Sequence, residues 1–258
     1  MNLFDFKDRV TVITGASSGL GADAARAFAE HGADVVIMAR RKEKLDTLAE
    51  EINAKGKGKA FAVQCDVSNE ESVKNAVDSV KERYGKIDIL LNNAGIATGG
   101  TIETLSDEEW DKAINVNLKG IIYMSKYVVP IMKEKNYGRI INIASINALF
   151  ADKPMALWRH PYNMTKAGVI GLTRGMAASY TQFGITTNAI CPGLFESEMT
   201  ANTLFKTEEF MKMYNGLCPA SRPGSRGELN APILFFASEG AGYVSGQYLL
   251  VDGGFSIV

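Results

Sequence analysis

The stretch Val10-Thr11-Val12-Ile13-Thr14, entered from Arg9, is short, apolar and β-branched, the composition of a strand buried on both faces of a parallel sheet. It runs directly into Gly15-Ala16-Ser17-Ser18-Gly19-Leu20-Gly21, and the alanine-rich Ala22–His31 then reads as a helix stopped by Gly32. Strand, glycine turn and helix in that order give a glycine motif its meaning. The glycines allow a tight turn and let backbone approach a pyrophosphate, whose charge rests on the helix N-terminus. A glycine turn that holds no ligand is the competing reading.

The same rhythm continues. Further strands are expected at Asp34–Ala39, Ala60–Cys65, Ile87–Leu91, Gly138–Ser145, Ile185–Ile190 and Gln247–Val251. Helices are expected at Arg41–Lys55, Glu70–Tyr84, Glu108–Lys135, from near Tyr162 to Phe183, and at Glu228–Glu239, with Ser106 and Glu109 forming a capping box. Strands alternating with helices predict an α/β fold, a doubly wound parallel sheet flanked by helices. A chain of 258 residues suits one such domain, spanning residues 1–258. Lys plus Arg number 28 against 29 Asp plus Glu, with no basic stripe, which argues against nucleic acid. No apolar run approaches the ~20 residues of a membrane span. The start lacks a basic region followed by an apolar one, so no signal peptide is expected. Cys65, Cys191 and Cys218 are widely spaced without a CxxC, which fits reduced thiols in the cytoplasm. No metal site is expected.

In an open sheet of this kind, ligands sit at the carboxyl ends of the strands. Arg40 and Arg41 end the second strand; an acid there would bind the ribose 2′-hydroxyl of NAD, whereas an arginine suits the 2′-phosphate of NADP. Arg40 is therefore the residue expected to set cofactor choice, a solvated arginine being the plain alternative. Asp66 is placed to meet an adenine amino group, or else Asp66 or Ser68 caps the next helix. In Asn92-Asn93-Ala94-Gly95 the small residues admit a ligand and the amides can tie strand ends together. Ser145 is delivered by the fifth strand. Tyr162 and Lys166 stand four apart and share a helix face. A cation beside a phenol favours the phenolate and moves its pKa, near ~10 in water, toward the range where it can pass a proton.

Taken in order, Thr14–Gly21, Asp66, Asn92–Gly95, Asn117, Ser145, Tyr162 to Lys166, Pro192-Gly193 and Asp252-Gly253-Gly254 resemble the short-chain dehydrogenase/reductase family over essentially the whole chain. The resemblance implies a single-domain Rossmann fold and hydride transfer between a nicotinamide and a carbonyl or secondary alcohol. It implies a catalytic tetrad of Asn117, Ser145, Tyr162 and Lys166, with Lys166 also on the nicotinamide ribose and Asn117 holding a relay water. Asn117 takes the role over Asn115 because it directly precedes Leu118-Lys119-Gly120. Cofactor contacts are implied at Gly15, Ser17, Ser18, Gly19, Leu20, Gly21, Arg40, Arg41, Asp66, Val67, Asn93, Ala94, Gly95, Tyr162, Lys166, Pro192, Gly193, Phe195 and Ser197. NADP(H) is the implied cofactor, a small molecule the substrate, and a homotetramer the assembly.

Two features bear on the substrate. Ser145 and Tyr162 are seventeen apart, where the family commonly spaces them about thirteen, so residues 151–160 carry an insertion beside the substrate, from which Trp158, Arg159 or His160 could reach it. Residues 194–215 form an expected lid, dense in Leu194, Phe195, Met199, Leu204, Phe205, Phe210, Met211, Met213 and Tyr214. Either these cover a greasy ligand or they pack on the core. The lid's polar groups, among them the anionic Glu196 and Glu198, suit a sugar acid poorly. A bulky hydrophobic ketone or alcohol, such as a hydroxysteroid or fatty oxoacyl compound, is therefore expected over a gluconate-like sugar acid.

Overall fold

Side chains alternate across the first strand, β1 (Val10–Thr14), so that Val10 and Val12 join one buried cluster and Ile13 the other. The same alternation divides β2 (Asp34–Ala39) between Val36 with Met38 and Val35 with Ile37. Strands buried on both faces need a helical layer on each, and the helices supply it. Described are residues 4–151, 158–196 and 207–258 of a computed structural model. The other strands are β3 (Ala60–Gln64), β4 (Ile89–Asn92), β5 (Gly138–Ile143), β6 (Ile185–Pro192) and β7 (Tyr248–Val251). All seven pair in parallel in the order β3-β2-β1-β4-β5-β6-β7. The order reverses between β1 and β4, which opens a crevice at their carboxyl ends.

One layer contains α1 (Gly19–Glu30) and α2 (Lys42–Lys55), where Phe28 and Leu45 pack with Ile37. It also holds a late helix, Asn230–Ala237 (α8 below), through Ile233 and Phe236. The opposite layer holds α3 (Glu70–Tyr84), α4 (Asp107–Ile114) and α5 (Gly120–Lys135), with Val77, Met124 and Val128 against Val12 and Leu90. The long α6 (His160–Tyr180) packs along β6, and α7 (Glu208–Leu217) precedes α8. The expected capping box is present at α4, where Ser106 Oγ accepts from the Glu109 amide and Glu109 Oε2 accepts from the Ser106 amide. For α3 the cap is neither Asp66 nor Ser68: Asn69 Oδ1 accepts from the Ser72 amide at 2.8 Å.

The helix expected over 108–135 is interrupted. Residues Asn115–Lys119 form a π turn between α4 and α5, with the Gly120 amide bonded to the Asn115 carbonyl. One extra residue in a helical turn changes neither composition nor apolar spacing enough to be read from sequence, yet such turns recur at functional sites. Here it carries Asn117, which is fully buried.

At the amino ends of the strands, Asp88 is buried and accepts from the Val10 amide at 2.8 Å and from Arg9 at 3.1 Å, with Lys86 Nζ at 2.9 Å. Arg9 also pairs with Glu239 and lies 4.0 Å from the centre of the Tyr137 ring. Removing a buried carboxylate strands its cation and amide partners. Asp88→Ala is expected to cost about 2–4 kcal/mol of stability while leaving nucleotide affinity unchanged. Urea unfolding with a parallel nucleotide titration checks this; an unchanged midpoint would refute it.

Candidate active site

The crevice at the strand ends is a cleft of about 510 Å³. Its floor is built by a close approach of two turns. Gly15 has φ +66°, and a Cβ there would lie 2.8 Å from Ala94 Cα and 2.9 Å from Asn93 Nδ2. Asn93 Nδ2 donates to the Thr14 carbonyl at 2.9 Å, while Thr14 Oγ1 accepts from the Asn93 and Ala94 amides at 3.0 and 3.1 Å. Asn92 Nδ2 reaches Asn142 Oδ1 at 2.9 Å, so both asparagines tie strand ends as expected. Gly21 does not line the cleft; a Cβ there would collide with Asn93 Nδ2 at 2.5 Å, so its smallness is needed for packing beneath it.

One end of the cleft is cationic. Arg41 Nη2 donates to Ser17 Oγ at 2.8 Å and Ser18 Oγ at 3.0 Å, and Arg41 Nε lies 3.2 Å from Ser17 Oγ. Arg40 is exposed beside it, and its carbonyl accepts from Gln64 Nε2 at 2.9 Å. Both arginines line the cleft with Ser17, Ser18, Gly19 and Leu20. Sequence reasoning favoured Arg40, but it is Arg41 whose guanidinium is tied into the glycine turn. Asp66 and Val67 line the same region, with Asp66 Oδ1 accepting from the Ser68 amide and hydroxyl at 3.0 and 2.7 Å. Lys112 on α4 and Val116 in the π turn beside Asn117 also line it, and neither side chain carries a sequence feature that ties it to the ligand edge.

At the other end, β5 delivers Ser145 and α6 delivers Tyr162 and Lys166 to the cleft, with Gly95 and Pro192-Gly193 alongside. Lys166 is buried, and its Nζ donates to the Ile143 carbonyl at 2.8 Å. Burial pushes its pKa down to about 8. Its ammonium lies 5.7 Å from the centre of the Tyr162 ring. Burial also raises the Tyr162 phenol, while a hydrogen bond with Ser145 and the Arg159 guanidinium, 5.8 Å from the ring centre, pull it back. Lys166, the cationic neighbour expected from the sequence, and Arg159 thus stand at nearly equal distances from the ring centre, 5.7 and 5.8 Å. Asn117 commits its amide protons to the Ile96 carbonyl at 3.0 Å and Thr165 Oγ1 at 3.1 Å, and its Oδ1 accepts from the Ile96 amide at 2.8 Å. Cys191 is fully buried, and the Ser145 amide and Lys166 act on its thiol, which burial raises to about 11.

The insertion and the region expected to form a lid are partly covered by the described residues. His160 opens α6 and its Nδ1 accepts from the Ile102 amide at 3.2 Å, so it anchors a turn. Phe195 lines the cleft and packs in the main core. Leu194, Phe210, Met211 and Tyr214 gather on Cys218 and Phe255, with Tyr214 stacked 5.2 Å from Phe255. These side chains therefore face protein. Met213 is exposed, while Met199, Leu204, Phe205 and Ser197 lie outside the described residues. Among the described residues, no helix is long and apolar enough to cross a membrane, and no three His, Cys, Asp or Glu side chains gather as a metal site.

A family model described as enoyl-(acyl carrier protein) reductase matches residues 15–256. A 3-oxoacyl-[acyl-carrier-protein] reductase of Thermotoga maritima is 36% identical over 250 residues, covering 96% of this chain and 98% of the relative. A 7α-hydroxysteroid dehydrogenase of Bacteroides fragilis is 36% identical over 255 residues, covering 98% and 96%. The crystal structure of a gluconate 5-dehydrogenase from Burkholderia cenocepacia, in complex with NADP and tartrate, superposes with a TM-score of 0.94 at 35% identity, over 100% of this chain and 98% of that one.

Proposed function

The chain belongs to the short-chain dehydrogenase/reductase family and is an oxidoreductase acting on CH–OH groups, and from that premise we propose that it uses NADP(H) to interconvert a bulky ketone and its secondary alcohol. The observation that carries the cofactor half is the Arg41 guanidinium bonded to Ser17 and Ser18 beside exposed Arg40, with no acid at the end of β2. Two guanidiniums and two hydroxyls suit a 2′-phosphate. The floor, where Gly15 lets its turn approach Asn93 and Ala94 too closely for a Cβ, suits a dinucleotide backbone. When bound, the nicotinamide gives or takes the hydride.

The chain's own residues handle the oxygen. Ser145 holds the substrate oxygen against Tyr162, and the phenol gives the proton in reduction and takes it in oxidation. Lys166, fixed by the Ile143 carbonyl, places its charge where a ribose hydroxyl and the phenol meet. With both Asn117 amide protons committed, a relay water there binds to its oxygens. Substituting both Arg40 and Arg41 by Ala should weaken NADPH binding about 100-fold, with Arg41→Ala carrying more of the loss than Arg40→Ala. NADH affinity should change little. Fluorescence titrations of each variant with both nucleotides check this, and equal losses for NADPH and NADH would contradict it.

The apolar half of the reading rests on Leu149, Phe150 and Trp158, which are exposed around the junction of β5 and α6. The aromatic cluster of α7, packed against Phe255 together with Leu194, does not support it. The relatives span 3-oxoacyl, hydroxysteroid and gluconate substrates, and a sugar acid is the competing choice. A homotetramer in the cytoplasm is the state expected of such an enzyme, and sedimentation measures the assembly. Reduction assays with oxosteroids, short oxoacyl thioesters and keto sugar acids, followed by NADPH absorbance, test the whole reading. NADPH-dependent turnover on the first two groups is expected; turnover on keto sugar acids alone would overturn the apolar assignment.

A further inference from the structure

We infer that Asn163 is a positioning residue for the reaction: its side-chain amide locks the turn that carries Ser145 onto the helix that carries Tyr162. This rests on the assignment of Ser145 and Tyr162 as the pair that meets the substrate oxygen. Asn163 Nδ2 donates to the Asn147 carbonyl at 3.0 Å and to the Phe150 carbonyl at 2.8 Å, so both of its protons are committed. The two acceptors belong to the stretch that leaves Ser145. Ser145 caps a single 3₁₀ turn, Ile146–Ala148, in which the Ala148 amide donates to the Ser145 carbonyl at 3.0 Å. The Leu149 and Phe150 amides close on the Ile146 carbonyl at 2.9 and 3.0 Å.

That turn orients the hydroxyl. Ser145 Oγ accepts from the Asn147 amide at 3.1 Å, which occupies a lone pair and leaves the hydroxyl proton to be given away. Asn147 Oδ1 stands 3.5 Å from it, too far to hold that proton firmly. The proton is therefore available to the phenol or to the substrate oxygen. Asn147 is the link in this chain of bonds: its amide meets Ser145, and its carbonyl meets Asn163, which directly follows Tyr162. The connection between the two catalytic groups needs such a tie. Ser145 and Tyr162 stand seventeen apart, and a longer connection leaves its ends more freedom. Asn163 bypasses the insertion by joining Phe150, just before it, to the first turn of α6, just after it. The same bond steadies the exposed Leu149 and Phe150, the apolar rim of the proposed substrate site.

A double-mutant cycle with Ser145→Ala tests this, read as turnover at saturating NADPH on the ketone that wild type reduces fastest. Asn163→Leu keeps the branched shape and removes both donors; Asn163→Ala serves the same cycle if the leucine variant fails to fold. Asn163→Leu is expected to lose about tenfold in turnover with NADPH affinity within about twofold, and to cost less than about twofold once Ser145 is alanine. Hydrogen exchange at the Asn147 amide should quicken about tenfold in the same variant, a readout that needs no substrate. Equal losses in the two backgrounds, no loss beside an intact Ser145, or unchanged exchange at Asn147 would overturn the inference alone. No loss from Ser145→Ala itself, or no ketone reduced by wild type, would remove the assignment of Ser145 and Tyr162 and the inference with it.

Discussion

Tyr162→Phe is expected to lose about 10³-fold or more in turnover while NADPH affinity stays within about twofold, because the ring remains and only the proton donor goes. Steady-state rates on the best ketone and a nucleotide titration give both numbers. Retained turnover within about tenfold, roughly 1.4 kcal/mol of barrier, would exclude the phenol from proton transfer. A pH dependence accompanies this. Ketone reduction needs the protonated phenol and alcohol oxidation the phenolate. Since burial raises the Tyr162 pKa, reduction should persist well into the alkaline range and fall only as pH rises through that raised value. Oxidation should climb over the same range.

Lys166→Met is expected to lose turnover as severely and yet to yield a more stable protein. The lysine is buried and shifted from 10.5 to about 8, so between those values the unfolded chain binds the proton that the folded chain sheds. Wild-type stability therefore rises with pH from about 8 to about 10.5, and the cost of the buried ammonium is complete below about 8. Methionine keeps the length and removes the charge, at the loss of one bond to the Ile143 carbonyl. The net gain at pH 7 should be about 1–2 kcal/mol, a few degrees in melting temperature, shrinking as pH is raised. Loss of stability at pH 7, or a gain independent of pH, would mean that the ammonium is not strained by burial.

What was readable in the sequence was readable for physical reasons. Residues 10–32 combine a buried-strand composition, a glycine turn and a helix, and each constrains the next; spacing places Tyr162 and Lys166 on one helix face, and the family resemblance implies their role with Ser145. What was not readable depends on contacts remote in the chain or on a single rotamer. Arg40 and Arg41 are neighbours of the same chemistry, and only the folded turn shows that Arg41 reaches Ser17 and Ser18. The Lys166 partner is a carbonyl 23 residues earlier, invisible to spacing along a helix. Asp66, Ser68 and Asn69 are all competent caps, and only in the fold is it Asn69 whose side chain meets the Ser72 amide. The apolar density of Phe210, Met211 and Tyr214 did not reveal which side they face, and they face Phe255 and Cys218.

The central claim is that the cleft is an NADP(H) site built around Arg40 and Arg41. Titration of the native protein with NADPH and with NADH, followed by nucleotide fluorescence at matched ionic strength, tests it most directly. The account predicts saturable binding of both, with NADPH at least tenfold tighter; equal affinities, tighter NADH binding, or no binding of either nucleotide would contradict it.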